Sequence, residues 1–328
     1  MQPATDAAPR PAGRGASSVD LRMRVQRFGL PAAMVLLMAA LTVLSPSFLT
    51  VGNLLNVTRQ VSINAIMAAG MTFVILTGGI DLSVGSVLAI AGAVLAGVLK
   101  GGAPLAVALL AGLAVGTGFG AVNGIAVAYG NVAPFIATLA TLTIARGLTL
   151  VYTDGRPISD LGAAFSWLGA GDAAGIPVPA IITLLVFAAA TIMLTQMVVG
   201  RYIYAIGGNE EATRLSGVGV RRYKILAYAI SGFLSAVAAV ILTSRLDSAQ
   251  PTAGLGYELD AIAAVVLGGT TLAGGEGTMA GTLLGAFLIG ILNNGLNLLN
   301  VSSFYQQVVK GLVILLAVLL DQKLRGRR

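Results

Sequence analysis

Apolar runs recur along almost the whole chain, separated by short polar or glycine-rich breaks. They cover residues 29–45, 60–79, 84–100, 104–129, 133–152, 179–199, 223–243, 259–273, 278–299 and 304–320. A helix needs roughly 20 apolar residues to cross a bilayer. The pattern therefore predicts an all-α polytopic membrane protein with about ten transmembrane helices. The second and eighth runs are unusual in ending in glycine-rich, polar stretches. Residues 1–20 are rich in Pro, Ala, Gly, Ser and Arg, with little to pack, and are expected to be disordered. The run Phe28–Leu44 is long for the apolar core of a secretory signal, and no clear Ala-x-Ala site follows it. It reads as an uncleaved first span. The organisation is then a tail over 1–27, a membrane domain over 28–321 and a basic tail over 322–328.

Between the sixth and seventh runs lies a hydrophilic island, Gly200 to Arg222. Asn209 is placed to cap a short helix by accepting from its free first-turn N–H groups. Glu210 and Glu211 follow, where the helix dipole favours negative charge. Gly217 and Gly219 provide an end. Such a helix cannot lie in lipid. It is either an ordinary solvated loop or a docking element. Gly207-Gly208 before it and Gly217-x-Gly219 after it give it more defined ends than solubility alone requires.

Charge placement sets the orientation. With the N-terminus inside, the inner segments hold 14 of the 20 basic residues, five of them between Arg201 and Lys224. The outer loops hold Arg59, Lys100, Arg156 and Arg245. Both termini and the island are thus expected in the cytoplasm. The longest outer loop, 153–178, carries Trp167, a residue type that often marks the membrane interface.

Composition agrees with a membrane protein and narrows the chemistry. Hydrophobic residues make up 56% and charged residues 10%, against roughly 45–50% and 25% in soluble domains. The 328 residues include neither cysteine nor histidine, so thiolate metal sites and the commonest general base are excluded. No Walker-type loop, nucleophile elbow or zinc motif is present. The chain is not expected to be an enzyme or to hold a cofactor, and active transport would draw on a partner or an ion gradient. Nothing points to nucleic acid.

Polar residues inside apolar runs are costly and need a reason. Asp81 follows Gly78-Gly79 at a break. It either caps the next helix or contributes a ligand or gating contact. Asn293, Asn294 and Asn297 share one face of the ninth run. Neutral amides suit a neutral polyol, and interhelical hydrogen bonding is the equally open alternative. Asn64, Thr72 and Thr77 in the second run, with Phe73 as an apolar platform, form a similar set. Arg146 and Lys310 either snorkel or pair with a carboxylate, and Glu258 and Asp260 are expected in ion pairs or in contacts with an external protein. Gly112, Gly116, Gly120 and Gly124 recur every four residues, a bare stripe that lets another helix backbone approach. Gly277, Gly281 and Gly285 form a second stripe. Two Gly-Gly breaks hint at internal repetition without settling its form.

Four stretches resemble the sugar ABC-importer permeases of the ribose type: Arg201 to Gly217, Ile75-Leu-Thr-Gly-Gly-Ile-Asp-Leu-Ser-Val-Gly-Ser86, Ser248 to Thr270, and Leu292-Asn-Asn-Gly-Leu-Asn-Leu-Leu299. The resemblance covers about residues 30 to 320, and the 248–270 stretch is its most specific part. It implies a permease subunit in the bacterial inner membrane that moves a ribose-like monosaccharide by alternating access. It also implies a homodimer, a cytoplasmic ABC ATPase that binds the ATP, and a periplasmic sugar-binding protein. The island would then carry the coupling helix, with Gly207, Gly208, Asn209, Glu210, Glu211, Ala212, Arg214, Leu215 and Gly217 facing the ATPase. The substrate pathway would draw on Asn64, Phe73, Thr77, Asp81, Asn293, Asn294 and Asn297. Two other readings stand beside it. One is an ion-coupled sugar carrier, disfavoured by the scarcity of carboxylates deep in the spans. The other is a permease of the same superfamily for branched-chain amino acids or nucleosides.

Overall fold

The computed structural model describes residues 16–325; the remaining parts of the expected tails, 1–15 and 326–328, lie outside the described residues. The elements in chain order are α1 (Ala16–Leu44), α2 (Val51–Leu76), α3 (Val84–Lys100), α4 (Leu105–Ala128), α5 (Pro134–Thr153), β1 (Ile158–Ser159), α6 (Ala163–Ala170), β2 (Asp172–Ala173), β3 (Ile176–Pro177), α7 (Val178–Thr195), α8 (Val198–Gly208), α9 (Glu210–Leu215), α10 (Val220–Leu246), β4 (Ser248–Ala249), α11 (Tyr257–Leu267), α12 (Met279–Leu298) and α13 (Ser303–Arg325). Residues 16–27, expected in the N-terminal tail, thus belong to α1, and 322–325 continue α13.

Each of the ten apolar runs falls on a helix, but the helices are not equal. Among the described residues, α2, α4, α5, α7, α10 and α12 are long and apolar enough to cross a membrane. The Gly29–Leu44 part of α1 and α3 are apolar but shorter. The eighth run yields only the 11 residues of α11. At 1.5 Å per residue these reach about 16 Å, roughly half of a hydrocarbon core of about 30 Å. The remainder of that run and the residues after it, Gly268 to Thr278, form no helix, and Gly269, Gly274 and Gly275 there all have positive φ. Glycine adopts that geometry without steric cost, and the helix ends where it begins.

The centre of the bundle is α2 beside α10. From Val61 to Leu76 all residues of α2 except Asn64 are buried, as expected of a helix apolar on every side. Tyr228, Leu234, Ala238 and Ile241 of α10 are likewise enclosed. Helices in lipid gain little from hydrophobic burial against one another, so close packing must hold them. The glycine stripe of α4 supplies it. A Cβ at Gly116 would meet Gly232 and Ala236, one at Gly120 would strike the Tyr228 carbonyl, and one at Gly124 would lie 2.6 Å from the Ile225 Cα. Gly281 and Gly285 of α12 press on the backbone of α11 in the same way, whereas Gly277 precedes the helix and packs on Thr270.

Away from α9, the segment 153–178 folds over the other end of α10. β1 pairs antiparallel with β4, and β2 with β3. Asp247, at φ 48°, accepts from the Leu161 N–H at 3.1 Å and the Ser166 hydroxyl at 2.9 Å. Arg59 pairs with Asp172 at 2.6 Å. Trp167 remains half exposed.

Candidate functional site

The polar helix of the island exists as two pieces. α8 ends at Gly208, and α9 begins at once. Asn209, in extended conformation, accepts from the Ala212 N–H at 2.9 Å. Glu210 and Glu211 fill the first turn. Arg214 donates to Glu211 at 2.6 Å, and this bond, followed by the charge of Glu211, holds the exposed guanidinium above its ordinary pKa. Lys224 of α10 donates to Glu210 at 2.6 Å. Gly217, at φ +82°, ends the turn after Ser216. Leu215 is 78% exposed, an apolar side chain on a charged helix.

Gly207 and Gly208 do more than precede the cap. The end of α8 lies against two chain breaks at once, those after α2 and after α11. The Gly275 N–H donates to the Leu76 carbonyl at 3.0 Å. A Cβ at Gly207 would overlap that carbonyl oxygen and the Gly275 nitrogen. A Cβ at Gly274 would lie 2.8 Å from the Gly78 nitrogen and 2.9 Å from the Gly207 Cα. The Tyr204 hydroxyl donates to the Gly277 carbonyl at 2.8 Å. Three segments therefore meet backbone to backbone, with only hydrogen atoms between them. Beside this junction opens a cavity of about 390 Å³, with Thr77, Gly79, Asn209, Glu210, Lys224 and Tyr228 in its wall.

The break after α2 continues into a buried polar network. Asp81 accepts from the Ser83 N–H at 3.0 Å, the Ser83 hydroxyl at 2.6 Å and, through its other oxygen, the Ser231 hydroxyl of α10 at 2.8 Å. Asn123 of α4 donates to the Ser83 hydroxyl at 2.9 Å and accepts from Thr141 of α5. Thr138 of α5 donates to the Ile80 carbonyl at 3.3 Å. Asp81 and the four polar side chains joined to it, directly or in turn, are buried, as is Thr138. Buried backbone polar groups outside regular helices need partners, and this network supplies them to the Ser83 N–H and the Ile80 carbonyl.

The seven predicted pathway residues do not gather into one site. Asn294 exchanges hydrogen bonds with Asn53 at 2.9 and 3.0 Å, near the start of α2. Asn297 is exposed and accepts from Gln306 at 2.8 Å. Asn64 donates to Asp260 at 3.4 Å, and Lys310 pairs with the same oxygen at 2.9 Å. Among the described residues the carbonyl oxygens of Asn64 and Asn293 have no hydrogen-bond partner. Thr72 meets Thr282 at 2.8 Å, joining α2 to α12. Phe73 is enclosed in the apolar core, and Thr77 and Asp81 lie at the junction end. Arg146 donates to the Pro251 and Ala253 carbonyls at 2.7 and 2.8 Å.

Comparison with known proteins decides the family. A family model described as "branched-chain amino acid transport system / permease component" matches residues 53–318. The chain belongs to that permease family. The ribose import permease of Haemophilus influenzae is 55% identical over 90% of this chain and 93% of its own length. That of Bacillus subtilis is 56% identical over 91% and 94%. The D-allose transport system permease of Escherichia coli is 39% identical over 90% and 91%. No solved structure matches the permease significantly. With relatives named as permeases and several spanning helices, it is a multi-pass transport subunit.

Sequence reasoning singled out Gly207, Gly208 and Asp81 in the permease separately and missed that one structure joins them. Gly274, Gly275, Ser231 and Asn123 went unnamed. The Gly-Gly breaks were the available signal: chain breaks within apolar runs must be satisfied by something, and the natural partner of one break is another.

Proposed function

We propose that this chain is the membrane-spanning subunit of an ATP-binding-cassette importer that carries ribose or a ribose-like monosaccharide across the bacterial inner membrane. The observation that carries this reading is identity of 55–56% to relatives named ribose import permease, against 39% to the D-allose permease. In this reading both termini and α9 lie in the cytoplasm, the side to which the basic residues of the island and of the two tails assign them. A separate ATPase binds and hydrolyses ATP, so this chain needs no cofactor. A periplasmic binding protein delivers the sugar, and a second copy of the chain completes the pathway.

In this reading α9 is the coupling helix. Its exposed Leu215 supplies an apolar anchor, and Glu210, Glu211 and Arg214 supply the charged rim that fixes its register on the ATPase. Movement of α9 reaches the spans through the glycine junction, where backbones in direct contact leave no soft side chain to absorb it. Reversing both charges (Glu210→Lys with Glu211→Lys) should leave membrane insertion intact and uncouple sugar uptake from ATP hydrolysis. Normal uptake by that variant would remove the coupling role. The family description makes a branched-chain amino acid the competing cargo. A zwitterion calls for charge-complementary groups, whereas most polar side chains along α2 and α12 are amides and hydroxyls.

A further inference from the structure

We infer that Asp81 is a positioning residue that carries coupling-helix movement from the glycine junction into the centre of the bundle. The inference rests on the reading of α9 as the coupling helix and extends it to a side chain that touches neither the ATPase nor α9.

Two connections link α9 to α10. One is direct: α9 leads into α10 through residues 216–219, and Lys224 holds Glu210. The other runs through the junction. Gly207 lies on the Leu76 carbonyl and on Gly274, and Gly274 lies on Gly78. Gly78 leads into the segment Gly79–Ser83, which crosses to α3. Glycines transmit a push at such a junction, but they do not direct it, having no side chain to grip a neighbour. The first side chain beyond them able to grip is Asp81. It holds Ser231 in the middle of α10 with one oxygen and the N-terminus of α3 with the other. Ser83 then passes the connection to Asn123 of α4, and Asn123 to Thr141 of α5. A shift at the junction thereby reaches α3, α4, α5 and α10 through one carboxylate.

The carboxylate is better suited to this than an apolar side chain. A packed methyl can slide, whereas an acceptor bound to three donors on two elements fixes both distance and direction. The surroundings are tight. The Tyr228 hydroxyl lies against Gly79 one turn before Ser231, so a Cβ at Gly79 would overlap it, and a Cβ at Gly70 would lie 2.9 Å from the Ser231 Cα. Losing the Asp81–Ser231 bond leaves those packing contacts in place and removes only the directional one.

The test uses the permease assembled with its ATPase and binding protein in liposomes, reading sugar delivered per ATP hydrolysed. Ser231→Ala should assemble normally and keep ATP hydrolysis, while sugar per ATP falls about tenfold, the scale of one hydrogen bond to a charged group. Asp81→Asn retains an acceptor towards Ser83 and offers an amide to Ser231, and should keep a ratio near that of the unmodified permease. Asp81→Ala should fall at least as far as Ser231→Ala; where it fails to assemble, Ser231→Ala decides. An unchanged ratio in Ser231→Ala, including one accompanied by a smaller amount of folded complex, overturns the inference. The Glu210→Lys, Glu211→Lys variant separates the two levels. If it uncouples and Ser231→Ala does not, Asp81 is a structural cap and α9 still couples. If neither uncouples, the coupling reading fails and the inference fails with it.

Discussion

Gly207 and Gly208 are adjacent and chemically identical, yet alanine at each should act in opposite directions. Gly207 is placed so that a Cβ would overlap the Leu76 carbonyl oxygen and the Gly275 nitrogen, the two atoms of a 3.0 Å backbone hydrogen bond. Neither can rotate away. Overpacking costs about 1–3 kcal/mol, and loss of a buried hydrogen bond about 1–3 kcal/mol more. Alanine in a helix returns about 1 kcal/mol. The net for Gly207→Ala is a loss of about 1–5 kcal/mol. A Cβ at Gly208 meets nothing within 4 Å, so only the helical gain of up to about 1 kcal/mol remains. The comparison is made on the permease alone in detergent, by thermal unfolding followed by size-exclusion chromatography, which removes any clash with the ATPase. Gly207→Ala should unfold at a clearly lower temperature than the unmodified permease, and Gly208→Ala at the same or a higher one. Equal behaviour of the two variants, or Gly208→Ala as the weaker, would refute the junction geometry.

Other outcomes follow from the same contacts. Lys310→Met leaves Asp260 buried without its cation and should cost about 3–5 kcal/mol, seen as loss of folded protein; adding Asp260→Asn should recover most of it. Thr72→Val removes the α2–α12 hydroxyl pair and should cost under about 1 kcal/mol, because interhelical hydrogen bonds in membranes average about 0.6 kcal/mol; a detergent unfolding series measures it. Asp247→Ala loses the bonds to Leu161 and Ser166 and forces alanine to a positive φ, and should destabilise by about 1–3 kcal/mol, with faster proteolysis of the 153–178 segment as the readout.

How far the sequence reaches differs by feature. Local rules found what is local. Apolar runs located the helices, and Asn209 with Glu210 and Glu211 announced α9, because capping is settled within four residues. The α4 glycine stripe announced a close helix neighbour without saying that α10 would be it. The eighth run could not be told from a full span, since its apolar residues continue past Leu267 and only the positive-φ glycines end the helix. Partner choice across the fold was out of reach. Asp260 lies near Arg245 in sequence but pairs with Lys310 of α13, because a pairing across 50 residues depends on how α11 and α13 pack. Asp81 looked like a cap or a ligand contact. Its position between the junction and α10 emerges only when the breaks after α2 and α11 meet the end of α8.

The most direct test of the whole account is ATP hydrolysis by the permease in lipid with its neighbouring ATPase and binding protein, across a panel of monosaccharides and branched-chain amino acids. Strong stimulation by ribose, with weaker or no stimulation by D-allose and none by amino acids, is the predicted result. Stimulation by an amino acid and not by any sugar, in a fully assembled complex, would contradict it.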